Sequence, residues 1–160
     1  RVVVPAGARL RLRSVAATVA LPGRDCPVSH SAFAFEVAGS LDVDLEPTVV
    51  AADAVHESAV HADIEDAGQL RLRERVQIGR AGEDRGRWSG SLRIDVKGEP
   101  LLRHRVELGP GSPGHDALAA PRAYVSELHC PTRVSAGPGT VLELAGGGVL
   151  ATWQGDRLPA

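Results

Sequence analysis

The amino-acid sequence predicts an all-β protein: stacked or sandwiched sheets of many short antiparallel and mixed strands, with at most one or two short helices. Three observations support this class. The run Leu70-Arg71-Leu72-Arg73-Glu74-Arg75-Val76-Gln77-Ile78 sets Leu70, Leu72, Val76 and Ile78 against Arg71, Arg73, Arg75 and Gln77, which is the two-residue period of a half-buried strand. The same alternation returns in Ser91 to Val96 and in Leu101 to Leu108, and the turn-like Lys97-Gly98-Glu99-Pro100 between them makes the pair a hairpin. Finally, Pro5-Ala6-Gly7-Ala8-Arg9-Leu10-Arg11-Leu12-Arg13 is echoed by Asp66-Ala67-Gly68-Gln69-Leu70-Arg71-Leu72-Arg73, and more loosely by Ser135-Ala136-Gly137-Pro138 ahead of Val141 to Leu144. Each echo is a tight turn feeding an alternating strand. They are too few and too irregular to define a regular solenoid.

In chain order, Arg1 to Val4 reads as the tail of a strand, the turn at Pro5-Ala6-Gly7 follows, and Leu10 and Leu12 face away from Arg9, Arg11 and Arg13. Ser14 to Leu21 continues as a small-residue strand until Pro22-Gly23-Arg24-Asp25-Cys26-Pro27 forces a loop. Phe33, Phe35 and Val37 mark a short strand, Gly39-Ser40 a turn, and Leu41, Val43 and Leu45 alternate with Asp42, Asp44 and Glu46 until Pro47 ends the run. Thr48 to Val60 fits a strand or a short helix, with strand favoured; beyond it Val60, Ala62 and Ile64 share a face. Only His115 to Leu128 has helix-like composition, and Pro121 interrupts it. Two last strands, around Val141 to Leu144 and Val149 to Trp153, flank Gly146-Gly147-Gly148.

The 160 residues form a single domain large enough to bury roughly two thirds of its unfolded surface. The chain starts at Arg1 and contains no methionine, so residues before Arg1 are expected to be missing. Cys26 and Cys130 make neither a disulfide framework nor a paired-cysteine zinc site, which favours a reducing, cytoplasmic setting and leaves a single disulfide between them as the alternative. A net charge of -2, with arginines interspersed among carboxylates, argues against nucleic acid as the main partner. No apolar run reaches the length of a membrane span, so no membrane partner is expected.

Catalytic motifs fail on spacing. His56-Glu57 and His61 have one residue too many between the histidines for a zinc-protease helix, and on a strand the two rings face opposite ways. His129-Cys130 diverge for the same reason, and the triple glycine precedes neither Lys-Ser/Thr nor a helix. Two polar residues do break an apolar face: Glu74 on the leucine face of its strand, and His104 beside Leu102, Val106 and Leu108. One reading is a frayed strand end, a bulge or a neighbouring arginine such as Arg75 or Arg103. The other is an interior that is not dry, where a carboxylate and an imidazole line a path suited to a transient divalent metal.

Several blocks together resemble a known family: Ala6-Gly7-Ala8-Arg9-Leu10, Ser14-Val15-Ala16-Ala17-Thr18, Leu45-Glu46-Pro47-Thr48-Val49-Val50, Gly68 to Ile78 with its acidic Glu74, Gly79-Arg80-Ala81-Gly82-Glu83, and Pro100-Leu101-Leu102-Arg103-His104-Arg105. In this order the sequence resembles the urease accessory proteins called UreD or UreH, in particular their shorter actinobacterial members. The resemblance implies a non-enzymatic β-rich scaffold that binds urease apoprotein and a helical urease accessory factor, and through that factor a nickel-delivering GTPase. It implies no tightly bound cofactor, with nickel only in transit, and gives Glu74 and His104 a place as candidate metal-path residues. Against the resemblance, the helical tail usual in the family is expected to be missing after the last strand, and His104 stands where relatives often carry an acidic residue. The competing reading is a non-catalytic β-sandwich interaction module. With two Trp, one Tyr and two Phe, few aromatics remain for stacking on sugars. A metal-dependent hydrolase is a distant third.

Overall fold

The computed structural model describes residues 1–117, 119–132 and 139–159. Its thirteen strands form two packed mixed sheets. The five-stranded sheet has the order β1 (Val2–Val4), β4 (Val28–Val37), β7 (Val55–Ile64), β9 (Arg87–Val96) and β10 (Glu99–Leu108). The other contains β12 (Thr140–Glu143), β13 (Val149–Gly155), β11 (Ala123–Cys130), β8 (Gln69–Ile78), β5 (Ser40–Asp44) and β2 (Arg9–Arg13), with β6 (Thr48–Val50) also on β8 and β3 (Thr18–Ala20) on β6.

From β1 to β9 the chain passes back and forth between the sheets, so that each new strand lies parallel to an earlier one. Val4, Val37, Ile64 and Val96 stand side by side in one sheet, and Leu12, Val43, Leu72 and Leu128 in the other. The echoed turns are corners of this coil. Gly68 lies so close to the preceding corner that a Cβ there would fall 2.2 Å from the Val37 carbonyl oxygen, which only glycine permits. The intervening corner is shortened to Ala38-Gly39, so the repeat is irregular. The third echo, Ser135 to Pro138, lies outside the described residues. The predicted hairpin is β9–β10, joined at Lys97-Gly98 and antiparallel. A bulge between Pro100 and Leu102 takes up one extra residue, after which Leu102, His104 and Leu108 oppose Ile94, Leu92 and Trp88.

Two expectations are corrected. Ser14 to Leu21 is not one strand: β2 ends at Arg13 and β3 begins at Thr18, because its neighbour is also broken, between Asp44 and Thr48, ahead of and at Pro47. The helix-like stretch His115 to Leu128 ends in strand β11 from Ala123 onward; the helix α1 covers only Pro113–Ala117. On β11, Tyr124, Ser126, Leu128 and Cys130 are buried at alternate positions, and the serine in this series hides its apolar character. Thr48 to Val60 supplies β6 and the start of β7, as favoured. Among the described residues no helix is long and apolar enough to cross a membrane. Both cysteines are free, Cys26 exposed and Cys130 buried.

The core falls into two apolar clusters. One is built around Phe35, Val37, Leu41, Ile64, Ile94 and Leu128; the other contains Val50, Val76, Ile78, Trp88, Leu108 and Tyr124.

Candidate functional site

Between the two clusters lies a layer of polar side chains. In the five-stranded sheet, Ser31, Ser58 and Gly90 pair in one row, next to the row of Phe33, Val60, Leu92 and His104. Facing them, Glu74 and Ser126 pair across β8 and β11. Leucine at these positions would have fused the two clusters into one core.

Glu74 is reachable because the sheet is broken beside it. β5 pairs with Gln69 to Arg73 of β8, and β6 resumes only at Val76. On that side Glu74 and Arg75 have no strand neighbour. Leu45, Glu46 and Pro47 connect β5 to β6 there, and a groove of about 290 Å³ opens over Ser31, Phe33, Ser58, Thr48 and Glu74. Glu74 also lines a second, internal cavity of about 10 Å³, shared with His104, Tyr124, Ser126, Trp88 and Gly90. That is room for about one water molecule. A Cβ on Gly90 would lie 2.2 Å from the Trp88 ring, so the absent side chain leaves space for the indole.

Glu74 and His104, predicted separately from their broken patterns, thus line the same cavity. Neither is paired with an arginine. Ser58 Oγ donates to Glu74 Oε1 at 2.9 Å, while Arg75 donates to Asp44 and to the Leu45 carbonyl and Arg103 binds Asp95. Burial pushes the Glu74 carboxyl above its ordinary value, and the Ser58 hydrogen bond offsets only part of this. His104 Nε2 lies 3.2 Å from the Tyr124 hydroxyl. Burial depresses its pKa, so the ring is neutral at pH 7 and one of its nitrogens carries a lone pair. Tyr124 is held above the usual phenol value by burial and, through charge, by Glu74. The indole Nε1 of Trp88, in the wall of the same cavity, has no hydrogen-bond partner among the described residues.

Sequence reasoning did not find Ser58, Tyr124 or Ser126, and weighed the buried His56 only as part of a failed zinc-protease motif. Extending the face of Val60, Ala62 and Ile64 backwards by two positions at a time reaches Ser58 and then His56, so the signal was present. His56 is 4% exposed, with Nδ1 2.8 Å from Ser29 Oγ and Nε2 3.1 Å from Ser31 Oγ; burial lowers its pKa. His61 is on the opposite face, bonded to Asp95. His129 turns to Glu127 while Cys130 enters the core.

On its outer side the second sheet is charged but closely compensated. Arg71 donates to Asp42 and Glu127 at 2.9 Å each, Arg75 contacts Asp44, and Arg13 contacts Asp42 at 2.6 Å. The acidic row Asp42, Asp44 and Glu46 therefore faces the arginines of β8.

The comparisons with known proteins agree with this architecture. A family model described as UreD urease accessory protein matches residues 1–152. A urease accessory protein UreD of Frankia alni is 43% identical over 129 residues, covering 69% of this chain and 43% of its own length. The corresponding protein of Parafrankia sp. is 36% identical over 164 residues, covering 89% and 54%, and UreD 1 of Saccharopolyspora erythraea is 36% identical over 163 residues, covering 95% and 63%. The chain spans between 43% and 63% of the length of these relatives. A family match over almost all of the chain, joined to an all-β fold of stacked mixed sheets, leads to one conclusion: the chain belongs to the family of UreD urease accessory proteins.

Proposed function

We propose that this chain is the scaffold of a urease maturation assembly. It binds urease apoprotein and, together with a helical accessory factor and a nickel-delivering GTPase, promotes assembly of the nickel metallocentre, with nickel passing through its interior as cargo. It turns over no substrate, retains no cofactor, and works in the cytoplasm. The observation that carries the proposal is the polar layer with Glu74 at its centre, in the wall of both the outer groove and the inner cavity.

The chemistry of that layer suits transit more than storage. A neutral imidazole at His104 and a carboxyl at Glu74 are both nickel ligands. A cation at Glu74 competes with a proton that burial helps retain, and at His104 with the Tyr124 hydroxyl. Each competition weakens binding. The cavity holds about one water, so an ion entering it exchanges most of its hydration for protein oxygen and nitrogen.

The test is urease activity and bound nickel after apo-urease is expressed with the other accessory proteins, with and without the full-length form of this protein. Loss of both on omission, with the protein co-purifying with urease, supports the role. Full activation without it, and no co-purification, overturns it and leaves a β-sandwich interaction module.

A further inference from the structure

On the outer face of the five-stranded sheet, away from the polar layer, His61, Asp63 and Asp95 bring three ligand atoms within 4.8 Å of one another. We propose that they form a second metal site, for a divalent transition cation such as Ni²⁺ or Zn²⁺, on the surface of the protein. The inference does not depend on the maturation role.

Strand geometry creates the cluster. His61 and Asp63 are two apart on β7 and so share its outer face, and parallel pairing sets Asp63 directly beside Asp95 of β9. Two carboxylates abreast on one face repel each other, and positive charge between them relieves this. Arg103 supplies part of it: its guanidinium pairs with Asp95 Oδ1 and also donates to the Ile94 and Leu102 carbonyls. That leaves Asp95 Oδ2 turned to His61 Nε2 at 2.9 Å, with Asp63 Oδ1 3.5 Å from the same nitrogen.

The 2.9 and 3.5 Å spacings from His61 Nε2 are close to those between ligands of one ion. With metal–ligand bonds of about 2.1 Å, neighbouring ligand atoms lie about 3.0–3.4 Å apart. Asp95 is the anchored member, its side chain 12% exposed and braced by Arg103, while His61 and Asp63 are 44% and 57% exposed. Arg103 then acts from outside the coordination sphere, orienting the ligating carboxylate. Arg93, in register with His61, is exposed and lies beside the cluster as a second positive charge. The imidazole selects the class of metal, since Mg²⁺ and Ca²⁺ prefer all-oxygen sets.

Titration calorimetry of the full-length protein with NiCl2, ZnCl2 and MgCl2 tests the site. Wild-type protein is expected to bind Ni²⁺ or Zn²⁺ at least tenfold more tightly than Mg²⁺. His61→Gln and Asp63→Asn, both at exposed positions, should weaken that binding at least tenfold with unchanged circular dichroism, whereas Glu74→Gln should leave it intact. Absence of saturable Ni²⁺ or Zn²⁺ binding, equal affinity for Mg²⁺, or unchanged affinity in both surface variants would overturn the proposal. Loss of binding in Glu74→Gln alone would also overturn it, by assigning the metal to the interior.

Discussion

The two faces of β8 treat charge in opposite ways. Outward, Arg71 and Arg75 each meet carboxylates from neighbouring strands, in contact with solvent that softens every interaction. Inward, Glu74 accepts a hydrogen bond from the Ser58 hydroxyl and has no strand beside it on the side of β5 and β6. The outward network is what a sheet needs to stay folded and apart from other sheets. The inward carboxyl opposes folding, because taking it out of water is only weakly compensated. A residue that opposes folding and yet sits at the junction of a groove and a cavity is what the proposed transit role calls for.

The sharpest way to break this comparison is Glu74→Leu. Removing the buried carboxyl is expected to raise stability by about 1–3 kcal/mol in denaturant unfolding, while urease activation and nickel content fall at least tenfold with assembly intact. Activation equal to wild type would reduce Glu74 to a tolerated imperfection. Arg71→Ala should do the reverse, lowering stability by about 1–2 kcal/mol because half-buried Asp42 and Glu127 each lose one of their partners, and leaving activation unchanged per folded molecule.

Acid separates the two faces by sign. The Asp42 carboxyl is raised by burial but lowered by more through Arg13 and Arg71, and Glu127 likewise through Arg71 and His129, so both end below their ordinary values. Their stabilisation is present above the unfolded-state pKa and is lost as pH falls through the folded one. Glu74 runs the other way: its folded value is raised, so its penalty is absent below the unfolded-state pKa and grows as pH rises toward the folded value. Unfolding curves from pH 7 downward should therefore show the advantage of Glu74→Leu over wild type shrinking, and the deficit of Arg71→Ala shrinking too, as the outer carboxylates protonate. The smallest effect is expected from Arg13→Ala, at most about 0.5 kcal/mol, since that pair is at the exposed rim of the network.

How far the sequence could be read follows the same division. The period of β8, the β9–β10 hairpin and the inward turn of Glu74 and His104 were legible, because a two-residue alternation makes any misplaced polar residue visible. Ser58 and Ser126 escaped because serine is unremarkable on either face of a strand. Tyr124 escaped because it lies in a stretch whose alanines suggested helix. The window beside Glu74 was visible only as Pro47 ending a strand; that a new strand, β6, resumes on the same neighbour is a fact of pairing between distant segments, which no local pattern encodes. That Glu74 and His104 line one cavity likewise depends on how the two sheets stack.

The divided core has a mechanical consequence. Apolar layers cohere by contact over their whole area, whereas the plane through Ser58, Gly90, Glu74 and Ser126 is joined by few bonds and lacks one side chain altogether. Thermal opening should concentrate along that plane, with β4, β7, β8 and β9 running through it as continuous ties. A particle larger than the resting cavity could then pass while both apolar blocks stay closed, so the seam would work as a hinge line within a molecule that remains folded.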